Sequence, residues 1–126
     1  MANAYEDVTV LATDLPAVLP LLQRNTARCR GGAGAVRAVA LPWGAGLVGP
    51  DAPPHVDIVL CCECAYWGGW DVLQADTRAP LRATLRALCS PRTRLFFAFT
   101  LRDAERELGL LRALCAEDGF EYRRVL

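Results

Sequence analysis

The chain has 126 residues, of which 53% are hydrophobic and 22% charged, and its 14 basic residues balance its 14 acidic ones. This composition predicts one folded domain over residues 1–126 and excludes a disordered chain. The balanced charge argues against a partner such as nucleic acid or acidic lipid, and no apolar run reaches the roughly 18 residues of a membrane span. We therefore expect a cytoplasmic protein without nucleic-acid or membrane partners, and composition leaves its oligomeric state unknown.

Apolar runs predict five strands, and leucines at helical spacing predict three helices between them. We expect strands at residues 8–13, 35–41, 56–62, 94–100 and 120–126. Several of these runs lack alternation, which is typical of strands that are covered on both faces. Alternating strands and helices predict an open, mostly parallel α/β sheet, in which ligands bind at the carboxyl ends of the strands.

The helices have recognisable faces and ends. The first is expected over residues 15–29 with a bend at Pro20, and the second follows Pro80 with an apolar face of leucines. Leu108, Leu111 and Cys115 mark the predicted apolar face of the third helix. Asp103 could cap this helix and Gly119 could end it.

Two candidate binding positions follow the first two strands. Asp14 could cap the helix that follows it, or its carboxylate could accept hydrogen bonds from the two hydroxyls of a ribose. Trp43 could be a packing residue, or its flat ring could form one side of an adenine pocket. The neighbouring Gly44 would let the backbone approach a ligand closely.

The stretch CCECAYWGGW at residues 61–70 follows the third strand. Glu63 and Tyr66 could orient an incoming amine or accept its proton, or they could be a solvated acid and a packed tyrosine. Trp67 and Trp70 could be an exposed platform for a protein partner or two packed side chains. Cys61 and Cys64 have the C-x-x-C spacing of a redox pair or of half a zinc site.

We expect neither a zinc site nor a redox pair at these cysteines. The chain has no second close cysteine pair that could complete a zinc site. The motif also closes a strand, whereas redox pairs of this spacing usually open a helix. The six cysteines are therefore predicted to be free thiols, and no metal is expected.

The motifs ATDLP, Asn25, LPWG, DIVLCCECAY and FFAFTLRD, in this order and spacing, resemble one family. They are similar to the seven-strand, S-adenosylmethionine-dependent protein-lysine methyltransferases of the methyltransferase-like family (methyltransferase family sixteen). The resemblance runs from about Val8 to the C-terminus. It implies a Rossmann-like methyltransferase sheet, S-adenosylmethionine as cofactor and a protein substrate.

The resemblance also implies roles for five residues. Asp14 would hold the cofactor ribose, and Trp43 and Cys62 would contact the cofactor. Glu63 and Tyr66 match the ends of the family's Asp-x-x-Tyr motif, which lies beside the methyl-transfer pocket. Here Glu63 replaces the usual aspartate, so its carboxylate reaches one methylene further.

The chain has no E-x-G-x-G motif, which in the family follows the first, central strand and wraps the methionine part of the cofactor. Seven residues before the first predicted strand are too few for another strand and its crossover. We therefore expect a single partial methyltransferase domain whose sheet lacks the first strand, as in an N-terminally truncated fragment. Protein-lysine methylation is the leading hypothesis. The alternatives are a non-catalytic protein-interaction module or a methyltransferase that acts on a small molecule or nucleic acid.

Overall fold

The computed structural model describes residues 8–29, 34–48, 52–64, 77–102 and 104–124. The chain divides into two compact units, residues 1–42 and residues 43–126. Each unit contains one pair of parallel strands with helices, so the α/β class predicted from the sequence is confirmed. No helix in these described ranges is long and apolar enough to cross a membrane.

The first unit consists of strand β1 (Thr9–Asp14), helix α1 (Leu19–Thr26) and strand β2 (Ala35–Ala40). The two strands pair in parallel from Thr9 opposite Ala35 to Asp14 opposite Ala40, and α1 packs against both. The helix begins four residues later than predicted. Pro20 lies in its first turn, where a missing N–H costs nothing, so the predicted bend at this residue is wrong.

The second unit consists of strand β3 (Ile58–Cys62), helix α2 (Arg78–Leu88), strand β4 (Arg94–Ala98) and helix α3 (Ala104–Asp118). Strand β3 runs parallel to β4, from Ile58 opposite Arg94 to Cys62 opposite Ala98. The carboxyl ends of both strands therefore lie side by side. This arrangement places Cys62 and the residues after it next to the segment that follows β4.

One face of the β3–β4 pair covers the core of the second unit. The buried members of this core are Cys61, Leu81, Leu85, Leu110 and Leu114, and the inward side chains of both strands pack against them. The opposite face is open: Ile58 is 54% exposed, Leu60 76% and Phe96 48%. The prediction that such unbroken apolar strands are covered on both faces is therefore wrong for the part of the chain that the structure describes.

Helix α3 buries a face that is rotated from the predicted one. Leu110 and Leu114 are buried, whereas Leu108 and Cys115 are only half-buried. Gly119 ends the helix as predicted and adopts a left-handed conformation with φ of 75°, which favours glycine. Asp103, the predicted cap, lies outside the described residues.

Ion pairs from two arginines of α2 hold the last residues of α3. Arg82 Nε donates to Asp118 Oδ2 at 2.7 Å, and Arg82 Nη2 donates to Glu117 at 2.9 Å. Arg86 Nε lies 3.4 Å from the other oxygen of Asp118, whose side chain is 1% exposed. These guanidinium contacts, Arg82 first, hold the pKa of Asp118 below its ordinary value.

The strand pairs differ from the single open sheet that the sequence predicts. The described residues form two sheets of two strands each, so β1 and β3 each have one paired edge there. The fifth predicted strand is not formed within residues 120–124. These residues pair with no described strand, and residues 121–124 are all exposed, so neither a ladder nor burial holds them extended.

Candidate functional site at the strand ends

Asp14 is the last residue of β1, and its carboxylate is exposed. Its Oδ1 accepts a hydrogen bond from the backbone N–H of Leu15 at 2.7 Å. Helix α1 has Val18 as its N-cap, and no side chain caps it. The capping interpretation of Asp14 is therefore wrong: the side chain is fixed at the strand end by its neighbour, four residues before the helix cap.

The Trp43–Gly44 turn is held against α2 by a buried threonine. The N–H of Gly44 donates to Thr84 Oγ1 at 2.9 Å, and the same hydroxyl donates to the carbonyl of Ala45 at 2.9 Å. Thr84 is 2% exposed. Gly44 has φ of 96°, a conformation that L-residues avoid, so glycine is required for this turn. The turn leaves Trp43 at 36% exposure, with part of its ring facing solvent.

Glu63 continues directly from β3 with an unusual backbone. Its N–H donates to the carbonyl of Ala98 at 2.7 Å, which extends the strand pairing by one bond. Its φ is 54°, the left-handed region, so the chain turns sharply away from the sheet at this residue. Residues other than glycine, asparagine and aspartate seldom adopt this backbone conformation, because it brings Cβ close to the following carbonyl oxygen.

The carboxylate of Glu63 reaches across to the segment after β4. Oε1 accepts hydrogen bonds from the backbone N–H of Thr100 at 2.9 Å and from its hydroxyl at 3.0 Å. Oε2 lies 2.9 Å from Arg102 Nη2 and forms an ion pair with it. Together these three residues make a cluster, called here the strand-end clamp, that joins the ends of β3 and β4.

The clamp keeps Glu63 ionised. The hydrogen bonds from Thr100 lower the pKa of Glu63 below its ordinary value, and the charge of Arg102 adds to this effect. A carboxylate with a lowered pKa is a weak proton acceptor at neutral pH. Glu63 is therefore better suited to attract and orient a cationic group than to remove its proton.

Arg102 is fixed at its backbone as well as at its side chain. Its N–H donates to Glu107 Oε2 at 2.7 Å, and Glu107 is 2% exposed on α3. Residues 100–102 thus contribute four donors to carboxylates. The N–H and hydroxyl of Thr100 and the guanidinium of Arg102 contact Glu63, and the N–H of Arg102 donates to Glu107. Helix α3 in this way supports the position of the clamp.

Cysteines occupy both faces of β3 beside Glu63. Cys62 is exposed at the strand end, Cys61 is buried in the core, and Cys64 is half-buried against that core. All six cysteines are free thiols. Among the described residues, no group of three or more histidine, cysteine, aspartate or glutamate side chains could hold a metal ion.

The structure brings together two of the five predicted site residues, Cys62 and Glu63. Asp14 belongs to the first unit, Trp43 begins the second, and Tyr66 lies outside the described residues, as do Trp67 and Trp70. Sequence reasoning missed Thr84, Thr100 and Arg102 as positioning residues. The only sequence signal was position: Thr100 ends the predicted strand 94–100 and Arg102 follows it, at the same sheet edge as Glu63.

Comparison with known families gives one clear result. A family model described as lysine methyltransferase matches residues 1–114. This range includes every predicted site residue and most of α3. No significant match is found among curated proteins or among solved structures. The match covers most of the 126-residue chain, and the chain therefore belongs to the lysine methyltransferase family.

Proposed function

We propose that this protein functions in S-adenosylmethionine-dependent methyl transfer to a lysine amine of a protein substrate. The observation that carries the proposal is the family match over residues 1–114, which spans Asp14, Trp43 and the whole stretch from Cys61 to Tyr66. The local structure supports it at the residues that the resemblance singles out.

The residues proposed to bind the cofactor have suitable chemistry and exposure. The carboxylate of Asp14 is exposed and already fixed through one oxygen by Leu15, so it could accept hydrogen bonds from ribose hydroxyls without further ordering. Trp43 presents part of a flat ring on a turn that Thr84 holds in place. Cys62 is exposed at the end of β3. The cofactor, when bound, would supply the sulfonium methyl group.

Glu63 is proposed to act on the substrate amine. Its carboxylate is ionised and fixed by Thr100 and Arg102, so a lysine amine would compete with Arg102 for its charge. Because its pKa is lowered, we assign Glu63 the role of orienting the nitrogen rather than of accepting its proton. Tyr66 would share this role through its phenol oxygen.

The reaction proposed is a direct transfer in which the lysine nitrogen, once it has lost its ammonium proton to solvent, would attack the methyl carbon in line with the breaking carbon–sulfur bond, and the electron pair of that bond would leave with S-adenosylhomocysteine. Catalysis of this kind depends mainly on holding the two groups in the correct geometry and on excluding water. The strand-end clamp would contribute by fixing the position and orientation of the Glu63 carboxylate. Loss of the clamp would therefore misplace the nitrogen without changing the residues that bind the cofactor.

The test measures methyllysine directly. The chain, alone and preceded by a designed strand bearing E-x-G-x-G, is incubated with labelled S-adenosylmethionine and a mixture of unmethylated proteins. We expect methyllysine from the extended chain and at least a tenfold smaller yield with Glu63→Ala, whereas Glu63→Asp should retain part of it. Label on nucleic acid, on small molecules or on arginine would show that the substrate class is wrong.

A non-catalytic interaction module is the second candidate, and one observation favours it. The outer face of the β3–β4 pair exposes Ile58, Leu60 and Phe96 side by side, and exposed apolar faces commonly mark interaction surfaces. An extended chain that binds S-adenosylhomocysteine but transfers no methyl group to any protein would favour this candidate over the enzyme.

A further inference from the structure

The two oxygens of the Glu63 carboxylate are held in different ways. Oε1 accepts two hydrogen bonds from Thr100, one from its backbone N–H at 2.9 Å and one from its hydroxyl at 3.0 Å. Oε2 is buried, and no donor of the described residues is aligned with it for a hydrogen bond, although Arg102 Nη2 lies 2.9 Å away. The contact with Arg102 is therefore an attraction between charges without a directional bond. Oε2 retains the capacity to accept a hydrogen bond from another donor.

Arg102 is fixed at its backbone, but its side chain is held less firmly. Its N–H donates to Glu107 Oε2 at 2.7 Å, and Glu107 is buried on α3. The side chain of Arg102 is 55% exposed. An exposed ion pair of this kind contributes at most a factor of about five to an equilibrium constant. The guanidinium can therefore leave Oε2 at small cost while the backbone of Arg102 stays in place.

The carboxylate would keep its position after the guanidinium has left. Neither hydrogen bond from Thr100 to Oε1 involves Arg102, and the N–H of Glu63 still donates to the Ala98 carbonyl at 2.7 Å. A primary ammonium group is compact and its three donors rotate freely, whereas a guanidinium presents a rigid, planar fork. An ammonium group can therefore make the directional hydrogen bond to Oε2 that Arg102 does not make.

We propose that Arg102 occupies the position of the substrate ammonium at Glu63 Oε2 and is displaced when a primary ammonium group binds there. The assignment of that ammonium to a lysine substrate rests on the proposed function. Arg102 is then an internal competitor, which neutralises Glu63 while no substrate is bound. Within the strand-end clamp, Thr100 sets the position of the carboxylate and Arg102 sets its affinity for an amine.

The first test titrates the full chain with n-butylammonium, which is the isolated side chain of lysine. The titration is done at neutral pH, where this amine is protonated, and at constant ionic strength. NMR follows the carboxyl carbon of Glu63, the guanidinium nitrogens of Arg102 and the amide of Thr100. We expect the Arg102 signals to move toward those of free arginine as the Glu63 signal shifts, while the Thr100 amide stays unchanged. An unmoved Glu63 signal, or a shift of Glu63 while Arg102 remains paired, would overturn the proposal.

The second test compares variants in the same titration. Arg102→Met removes the guanidinium but keeps a long, unbranched side chain, and it should lower the dissociation constant of n-butylammonium about threefold. Arg102→Gln should act in the same direction and covers the case in which the methionine variant folds poorly. Arg92→Met removes an exposed arginine before the opposite end of β4, so as the matched control it should leave the constant unchanged. Unchanged or weaker binding in both Arg102 variants, or equal tightening in Arg92→Met, would contradict displacement.

The third test separates this proposal from the proposed function. In the chain preceded by a designed strand with E-x-G-x-G, Arg102→Met should lower the KM for the protein substrate about threefold and change kcat little. Lysine methylation with the same KM in the native and Arg102→Met chains would refute the competition by Arg102 and leave the proposed function intact. Displacement of Arg102 by n-butylammonium without any methyl transfer would support the competition and count against the proposed function.

Discussion

Replacing Leu85 by alanine tests which face of the β3–β4 pair forms the core. Leu85 on α2 is 1% exposed and packs in the cluster with Cys61 and Leu110. The change removes three carbon groups, which loses about 2.4 kcal/mol of transfer free energy at about 0.8 kcal/mol each. A residual cavity of about 60 Å³ adds about 1.4 kcal/mol at about 24 cal/mol per Å³. We therefore expect the free energy of unfolding to fall by about 3 to 4 kcal/mol.

Leu60→Ala is the matched control, since it makes the same chemical change on the other face of the sheet. Leu60 is 76% exposed, so the change should alter the free energy of unfolding by less than about 0.5 kcal/mol. Both variants are compared with the native chain by urea unfolding followed by circular dichroism, with the slope of the transition as a check on the unfolded state. Similar losses in the two variants would refute this assignment of the core, because they would mean that the Leu60 face is covered in solution.

Three further predictions concern the turn, the clamp and the open face. Thr84→Val should lower the free energy of unfolding by about 1 to 3 kcal/mol, because it leaves the Gly44 N–H and the Ala45 carbonyl unpaired. In the same urea unfolding experiment Thr9→Val on β1 should change this free energy little, and equal losses in the two variants would contradict the role of Thr84. The pKa of Glu63 is lower in the folded chain than its ordinary value of 4.5, so the stability that it contributes is complete above about pH 4.5 and is lost as the pH falls below it. In Glu63→Gln the free energy of unfolding should therefore fall less steeply below about pH 4.5 than in the native chain, and an equal fall in both proteins would contradict the clamp. Leu60→Lys should reduce light scattering by the concentrated protein more than Leu21→Lys on α1 does, since only Leu60 lies on the open sheet face; equal reductions would contradict an effect of that face.

The strands could be predicted from the sequence because their signals are local. Runs of apolar, β-branched residues identified β1 to β4 to within two residues at each end, and Gly119 marked the end of α3. Helix α1 was predicted too long because leucine spacing continues upstream to Leu15, while the observed helix begins only at Leu19. Spacing alone does not distinguish a turn from the first turn of a helix.

The coverage of the strands and the contacts of the site could not be predicted in the same way. An unbroken run such as Ile58–Cys62 is compatible with one covered face or two, and only tertiary packing decides between them. The strand-end clamp depends on the left-handed backbone of Glu63 and on contacts 37 residues away in the chain, at Thr100. A glutamate gives no sequence signal for such a conformation, since glycine or asparagine would be the usual choice.

The most direct test of the proposed cofactor role is saturation-transfer NMR with S-adenosylhomocysteine, because it detects weak binding and identifies the ligand atoms that contact the protein. The 126-residue sequence contains Asp14, which we propose holds the ribose, but no E-x-G-x-G motif for the methionine part. We predict a Kd in the millimolar range, about −4 kcal/mol, with strong saturation of adenine and ribose protons and weak saturation of homocysteine protons. Asp14→Asn should lower the ribose signals, while Asp57→Asn, at another exposed aspartate, should not. Absence of saturation, an unchanged signal in Asp14→Asn, or micromolar binding with equal saturation of the homocysteine protons would contradict this account.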